Sequence, residues 1–332
     1  MTINKGYIDF YKKYKDKYPC INEDVVIHKC PDVARITGTM SQEEVKNVFE
    51  SCKITEMNDD GITVMNLCDG TNTLQDIIEK ISKDNNLEID KILNGIVKFM
   101  IIGFTEYKFL YFVDNALTES KPVKITGSKE FYMPLHFTFE ITTRCNLTCK
   151  HCYRSAGIEI QEEELSYDEI ISIMDQMYDA GARFIELTGG EIFLHPRIKD
   201  IINYACEKFI FVGLLTNGVL VTKEVVEYFN KYKEKLIWSI SLDSCKEEFH
   251  NEFRGSKIAF DRTTKGIKEL RKNGHLVRVS MSVVQENLYD IEDTIEFARN
   301  ELDATWFGYN FILPFGRGEE LQWTLDAREV VK

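Results

Sequence analysis

Residues 137–154 read FTFEITTRCNLTCKHCYR, in which a short run of aromatic and branched side chains leads directly into three cysteines. The run at 137–141 is typical of a β-strand. The cysteines that follow, Cys145, Cys149 and Cys152, have the spacing Cys-x3-Cys-x2-Cys. Thiols in a loop at the end of a strand predict metal ligation, because thiolates bind both iron-sulfur clusters and zinc.

The number of thiols favours a cluster over zinc. Both kinds of site usually take four ligands, and no fourth cysteine follows Cys152 at close spacing. A cubane held by three thiolates would keep one iron open for a ligand from outside the protein, whereas a structural zinc site is expected to close. His151 is the alternative fourth ligand for zinc, but it adjoins Cys152 and would be strained in the same tetrahedron.

Beyond residue 131, short β-branched runs alternate with longer amphipathic stretches. Strands are predicted at residues 137–141, 184–187, 210–215, 236–242, 276–284 and 305–310. Helices are predicted at residues 167–180, 196–208, 223–232, 260–273 and 288–300. Ser166 and Glu169 form a capping pair for the first of these helices, and Gly181 ends it. The pattern predicts an α/β fold, a parallel sheet in an incomplete barrel, with its chemistry at the carboxyl ends of the strands.

Polar residues gather at two of those strand ends. The second predicted strand leads into Gly189, Gly190 and Glu191, and Asn217 follows the third. Adjacent glycines let the backbone approach a ligand closely, and the Glu191 carboxylate can accept hydrogen bonds from an ammonium group. An ordinary turn is the alternative at both places, although their position after a cysteine-bearing strand favours a binding site.

The fourth predicted strand places Ser239, Ser241 and Asp243 on one face, because side chains along a strand alternate with a period of two. A barrel filled only by packing would have an apolar inner face. Hydroxyls and a carboxylate directed into the barrel instead fit a ribose.

The fifth predicted strand has a similar polar face, formed by Arg278, Ser280 and Ser282. The alternative is that this face points outward at an edge of the sheet, where polar residues are tolerated. Arg254, which precedes Gly255, either binds the carboxylate of a bound molecule or is a solvated arginine.

The sequence before the barrel predicts a small helical domain with a β edge, at residues 1–112. One helix over residues 74–81 has Thr73 as its cap, and a second over residues 89–102 ends at Gly103. Residues 113–130 keep no apolar period and predict a linker.

Composition argues against several classes of function. The 332 residues carry a net charge of -13, which disfavours non-specific binding to nucleic acid or anionic membranes. No apolar run approaches the ~20 residues of a membrane span, and no secretory signal opens the chain, so we expect a cytoplasmic protein. Disulfides are rare in that compartment. Outside the loop, the cysteines show no metal-ligand spacing: Cys20, Cys30, Cys52, Cys68, Cys206 and Cys245.

These motifs together resemble the radical SAM (S-adenosylmethionine) superfamily, in its branch that modifies peptides. The resemblance lies in the cysteine loop, Gly189-Gly190-Glu191, Ser241-Leu242-Asp243 and the loop at residues 315–318. The runs at 137–145, 189–195 and 253–255 are similar, more closely, to sactisynthases, and the likeness covers nearly the whole chain. It implies a partial (β/α)6 radical SAM barrel at residues 131–320. Before it would lie a winged-helix-like α+β domain, similar to the precursor-peptide recognition element of such enzymes, at residues 1–112.

The resemblance also implies the cofactors and their ligands. Cys145, Cys149 and Cys152 would hold one [4Fe-4S] cluster, which reduces SAM to give a 5'-deoxyadenosyl radical. The radical would take a hydrogen from the precursor peptide, and a peptide cysteine would then form a thioether. In family terms an aromatic position packs by the adenine, the Gly-Gly-Glu run holds the methionyl amine, and the Ser-Leu-Asp run faces the ribose. The residues expected to bind SAM are His151, Gly189, Gly190, Glu191, Asn217, Ser241, Asp243, Arg254 and Arg278.

The implied partners are a ribosomal precursor peptide, bound through its leader, and a low-potential electron donor such as flavodoxin or ferredoxin. Another peptide modification, such as carbon-carbon crosslinking or epimerisation, is an alternative, and so is a leader-binding protein without turnover. Relatives carry a cysteine-rich SPASM extension after the barrel, yet Cys245 is the last cysteine here. We therefore expect residues 321–332 to begin a truncated extension, in a fragment or a shortened form without auxiliary clusters.

Overall fold

The computed structural model describes residues 5–38, 55–158, 164–312 and 314–321. The chain divides into two units, Met1–Met133 with Asp179–Gly181, and Pro134–Tyr178 with Ala182–Lys332. The expected start of a C-terminal extension, from residue 322 onward, lies outside the described residues, as does Cys52. Within the described ranges, no helix has both the length and the apolar character needed to cross a bilayer.

The first unit combines short strands with helices around its own apolar core. Its elements are α1 (Lys5–Tyr14), β1 (Tyr18–Ile21), β2 (Val26–Lys29), β3 (Ala34–Thr37), β4 (Thr55–Met57), α2 (Asp59–Leu67), α3 (Leu74–Asn85), α4 (Ile89–Ile101), β5 (Leu110–Val113) and β6 (Lys124–Gly127). Four strands form one sheet in the order β4-β3-β2-β6, and β1 pairs separately with β5. This is the small α+β domain that the sequence predicts before the barrel.

Two predicted helices of this unit have the expected starts. Helix α3 begins with a capping box in which the Thr73 hydroxyl accepts from the Asp76 N–H at 3.0 Å. Helix α4 ends at Ile101, but residues 102–106 continue as a π-helical turn, so the expectation that Gly103 ends the helix is wrong. Close packing explains this glycine, because a Cβ there would lie 2.6 Å from the ring of Phe109.

The segment predicted as a linker, residues 113–130, contains strand β6, and in this respect the prediction is wrong. Strand β6 pairs in parallel with β2, with Ile125 opposite Ile27. Val123, just before β6, is buried with the core of the unit. Backbone hydrogen bonds to β2 stabilise this short strand. Its four residues are too few to show a periodic pattern of apolar side chains, so the sequence does not predict it.

The second unit contains six strands and the helices that connect them. Its elements are β7 (His136–Thr142), α5 (Tyr167–Ala180), β8 (Phe184–Gly189), α6 (Ile198–Lys208), β9 (Phe211–Thr216), α7 (Lys223–Phe229), β10 (Leu236–Ser241), α8 (Glu247–Arg254), α9 (Ala259–Lys272), β11 (Leu276–Val283), α10 (Ile291–Asn300) and β12 (Trp306–Phe311). All six strands are parallel, in the order β12-β11-β10-β9-β8-β7. The predicted α/β class and parallel sheet are confirmed, whereas the short polar helix α8 was not predicted.

Strands β10 and β11 each have an apolar face and a polar face. On β10, Trp238 and Ile240 are buried against helices, while Ser239 and Ser241 lie on the opposite, inner face. Ser239 is registered with Arg278 of β11, so polar side chains line up across neighbouring strands. Strand β11 pairs on both sides, which makes the alternative that its polar face marks a sheet edge wrong.

A buried histidine links the stability of this sheet to pH. The Trp238 indole N–H donates to His275 Nδ1 at 3.2 Å, so Nε2 carries the proton and donates to Asn230 Oδ1 at 3.0 Å. Burial, and after it the charge of Lys233, lowers the pKa of His275 to about 4. The folded chain therefore holds this imidazole neutral in the range where the unfolded chain protonates it.

We predict that acid destabilises the fold through His275. A histidine in the unfolded chain has a pKa of about 6.5. The contribution of His275 to the free energy of unfolding is therefore fully present above that pH and is lost as the pH falls toward 4. The loss between pH 7 and pH 5 is about 2 kcal/mol. His275→Gln, which cannot protonate, should flatten that slope in urea unfolding measured from pH 7 to 5. An unchanged slope in the variant would show that other groups control the acid sensitivity.

Candidate functional site

The three loop cysteines lie at the carboxyl end of β7. Cys145 and Cys149 are each 7% exposed, Cys152 is half-buried, and all three thiols are free. The Cys145 N–H donates to the carbonyl of Gly157 at 2.7 Å, which folds the loop back on itself. Burial raises the pKa of Cys145 to about 11 and raises that of Cys149 as well. A metal that binds these sulfurs would supply the charge that favours the thiolates.

The donor set fits an iron-sulfur cluster. Within the described residues no three His, Cys, Asp or Glu side chains converge on one metal ion. A cubane binds its thiolates through separate iron atoms, so this finding concerns single-ion sites. Around the loop, three buried polar atoms have no hydrogen-bond partner in the described part of the chain, which is typical of a site that takes a ligand: Thr143 Oγ1, His151 Nδ1 and Arg317 Nη2.

The two glycines after β8 bring the turn against the start of the cysteine loop. The Gly190 N–H donates to the Thr142 carbonyl at 2.8 Å, and the Glu191 N–H donates to the Arg144 carbonyl at 2.7 Å. Gly189 has a φ of +142°, and a Cβ there would lie 2.2 Å from the Thr142 oxygen. A Cβ on Gly190 would lie 2.1 Å from the Arg144 oxygen. The backbone that approaches these glycines is therefore that of the loop itself, where the sequence suggested a ligand.

Glu191 is fully buried and joins the second strand end to the third. Its carboxylate accepts from the Thr216 hydroxyl at 2.8 Å, from the Asn217 N–H at 2.8 Å and from the Phe193 N–H at 3.2 Å. Burial raises the pKa of Glu191 in spite of these donors. The Asn217 amide in turn donates to Asn146 Oδ1 at 2.9 Å and lies 3.9 Å from Cys145 Sγ. Glu191 thus positions Asn217, and the Asn217 side chain contacts the cysteine loop at Cys145 and Asn146.

Asp243 and Arg254, expected to contact a ligand, contact each other. Arg254 donates from Nε and Nη2 to the two carboxylate oxygens at 2.5 and 2.9 Å, and both side chains are buried. Arg254 is therefore not the solvated arginine that was one alternative. Burial alone would raise the pKa of Asp243, but the arginine charge lowers it to about 2. Arg254 Nη1 lies 3.8 Å from Cys149 Sγ, so the pair places a cation beside the second thiol.

The remaining predicted residues lie at three places in this unit. The His151 ring stacks on Phe253, with centroids 4.2 Å apart and planes 12° from parallel. Burial, and then the charge of Arg254, lowers the pKa of His151 to about 3, so the ring is neutral. Ser241 is half-buried at the end of β10. Arg278 lies on the inner face beside Gly308, where a Cβ would be 2.6 Å from its Nη2 atom.

Several residues of the site were not predicted. Asn146 accepts from Asn217, and His250 Nδ1 accepts from the Asp243 N–H at 3.1 Å. Arg317 donates from Nε to the carbonyl of Cys149 at 2.8 Å. The loop at 315–318 is part of the family resemblance, but nothing in its spacing indicates that an arginine more than 160 residues from Cys149 contacts the cysteine loop.

Comparisons with known proteins agree with this geometry. Residues 139–298 match the family model of the Radical SAM superfamily. Over 306 residues, 92% of this chain and 66% of the relative, the sequence is 36% identical to the antilisterial bacteriocin subtilosin biosynthesis protein AlbA of Bacillus subtilis. Over 187 residues, 56% of this chain and 53% of the relative, it is 35% identical to an AdoMet-dependent heme synthase of Methanosarcina barkeri. The chain thus spans slightly less than two thirds of the first relative and about half of the second.

A solved structure shares the fold. Streptococcus suis SuiB, bound to its precursor peptide SuiA, aligns with a TM-score of 0.67 at 14% identity, over 94% of this chain and 68% of that chain. At that identity the likeness concerns the fold alone. The family match, the loop of three thiols and the parallel sheet agree with one another. Residues 139–298 of this chain are therefore a radical SAM domain, of the superfamily that uses a [4Fe-4S] cluster and S-adenosylmethionine.

Proposed function

We propose that this chain is a radical SAM enzyme that modifies a ribosomally made precursor peptide by forming a cysteine thioether crosslink. The observation that carries the proposal is the 36% identity to AlbA over 92% of the chain, which includes most of the first unit as well as the radical SAM domain. The alignment to the heme synthase covers 187 residues, too few to include both units. A peptide substrate is therefore better supported than a tetrapyrrole.

Cys145, Cys149 and Cys152 would hold the cluster, and no fourth protein thiol follows at close spacing. When bound, the cluster supplies the electron that cleaves SAM and so begins hydrogen abstraction from the substrate. The chain's own contribution is to hold the thiols at one edge of the sheet. The Arg254 charge beside Cys149 offsets part of the cost of burying a thiolate.

We retain the predicted SAM contacts as proposals. They fall into two groups: residues whose polar atoms can still form a hydrogen bond to a ligand, and residues whose hydrogen bonds are already satisfied within the protein. The Glu191 carboxylate accepts three hydrogen bonds and has about four acceptor sites, so one remains for an ammonium group. His151 Nδ1 has no partner among the described residues and can accept or donate to a ligand. Asp243 and Arg254 satisfy each other, so their contribution is to support the loop. Ser241 and Arg278 lie on the inner face, where they would orient a polar ligand.

The first unit would bind the leader of the precursor. In the described part of its larger sheet, β4 and β6 are the outer strands. An extended peptide can add a strand to such an edge, and main-chain hydrogen bonds then supply the affinity. A low-potential flavodoxin or ferredoxin would supply the electron. Another peptide modification, or leader binding without turnover, is the second candidate.

We predict that the chain, reconstituted anaerobically with iron and sulfide and reduced by dithionite, cleaves SAM to 5'-deoxyadenosine. A variant with Cys145→Ala, Cys149→Ala and Cys152→Ala should bind no cluster and yield no deoxyadenosine, because all thiolate ligands are gone. Chromatography of the products measures the yield. If the wild type binds no iron and makes no deoxyadenosine, the enzymatic proposal fails and leader binding becomes the better account.

The kind of modification is decided on the peptide. The probe is a short cysteine-containing peptide encoded beside this gene, incubated with the reduced enzyme and analysed by mass spectrometry. Thioether formation removes one hydrogen from carbon and one from the thiol, and it makes that cysteine resistant to iodoacetamide. A carbon-carbon crosslink would remove hydrogens but keep the thiol reactive, and epimerisation would leave the mass unchanged. Either outcome would replace the thioether by the second candidate.

We predict that Gly190→Ala impairs cluster binding. The new Cβ, 2.1 Å from the Arg144 carbonyl, would displace the residue before Cys145. Such overpacking typically costs about 1–3 kcal/mol. Gly213→Ala is the matched control on the next strand, because its Cβ would meet the flexible Glu186 side chain at 2.7 Å. Two quantities should fall in Gly190→Ala and not in Gly213→Ala: the iron content after reconstitution and the midpoint temperature of thermal unfolding. Equal iron content in both variants would contradict the role assigned to this turn.

A further inference from the structure

A segment after the last strand crosses the cysteine loop and binds it. Arg317 lies in a short 3₁₀ helix, Gly316–Leu321, that follows β12. Its Nε donates to the Cys149 carbonyl at 2.8 Å, its Nη1 to the Ala156 carbonyl at 3.0 Å, and its backbone N–H to the Cys152 carbonyl at 3.0 Å. Arg317 thus donates hydrogen bonds to three carbonyls of residues 149–156, the segment that contains two of the three cysteines.

The residue before Arg317 is fitted to this contact. Gly316 has a φ of +57°, and a Cβ there would lie 2.4 Å from the Tyr153 carbonyl and 2.6 Å from the Cys152 carbonyl. A side chain at this position would separate the two segments. The approach of the backbones therefore depends on glycine, and the hydrogen bonds of Arg317 depend on that approach.

The contact also affects the sulfur atoms. The Ala156 N–H donates to Cys152 Sγ at 3.4 Å, and Arg317 holds the carbonyl of the same residue. Hydrogen bonds to cluster sulfurs and positive charge nearby both raise the reduction potential of an iron-sulfur cluster. Arg317 Nη2 is buried and has no partner among the described residues, so the guanidinium has donor capacity beyond the two carbonyls, of Cys149 and Ala156, that it binds.

We propose that Arg317 is a positioning residue that fastens the cysteine loop around the cluster and raises the cluster's reduction potential. It acts through the backbone of Cys149, Cys152 and Ala156. The inference rests on the cluster of the proposed function but not on the identity of the peptide.

The test compares Arg317→Gln, Arg317→Lys and Gly316→Ala in the full 332-residue chain. The reduction potential is measured by an EPR-monitored titration, and cluster loss is timed with an iron chelator. Arg317→Gln should shift the potential to more negative values and lose iron about 10-fold faster, the usual effect of removing an outer partner of a metal ligand. Arg317→Lys keeps the positive charge, so its reduction potential should lie between that of the wild type and that of Arg317→Gln. Gly316→Ala keeps the arginine but should lose iron faster.

Arg271→Gln is the matched control. Arg271 also donates to two backbone carbonyls, those of His275 and Asp303, at 2.5 and 2.6 Å, and belongs to the same unit. This variant should keep the wild-type potential and iron retention, even where its melting temperature falls. If Arg317→Gln behaves like Arg271→Gln in both readouts, the proposal is overturned.

A second readout keeps this test separate from the test of the function. In the cluster-free chain, a loosened loop should expose Cys149, which is 7% exposed in the folded protein. Arg317→Gln should therefore label faster with iodoacetamide at this cysteine than the wild type or Arg271→Gln. Equal labelling overturns the proposal even if the wild type takes up no cluster, whereas failure of the wild type to bind iron contradicts the proposed function.

Discussion

Two backbone hydrogen bonds hold the cysteine loop against the turn that ends β8, and the rest of the site is built from that junction. They join Gly190 to Thr142 and Glu191 to Arg144. Because the strands leave no room for a Cβ at the turn, both of its first positions must be glycine. The junction places Glu191 where its carboxylate reaches the end of the third strand. The asparagine at that end then reaches back to the loop, so three strand ends form one connected network.

Burial of charge is the second constraint on this site. Glu191, Asp243 and Arg254 are all buried within one region. A buried ion pair adds little net stability, because the desolvation of both charges offsets their attraction. The structure uses the pair differently: Asp243 fixes the arginine, and the arginine faces a thiol that burial would otherwise keep protonated. The arrangement stabilises the charge state that a metal ligand needs at the expense of some stability of the fold.

The sequence predicted the parallel sheet well because its strands and helices carry strong periodic patterns. The polar face of β10 and β11 was predicted for the same reason, and Ser239 does lie beside Arg278. Elements held by main-chain pairing or by tertiary contacts were not predicted. Strand β6 has too few residues for a period, and helix α8 is mostly polar. The pairing of Asp243 with Arg254 depends on the path of the chain through α8, which brings Arg254 back to the end of β10. Residue spacing alone does not predict that path.

The same alternation separates the apolar core of the second unit from its polar inner face. Apolar side chains on one face of each strand pack against the helices and form the core. The inner face carries hydroxyls and charged groups, such as Ser280 and Arg278, that the core does not need. A barrel interior stabilised by packing would be filled with branched apolar residues instead. Substitutions on the inner face of β10 and β11 therefore remove little apolar burial, whereas a side chain added at the junction of loop and turn would clash with the backbone of the loop.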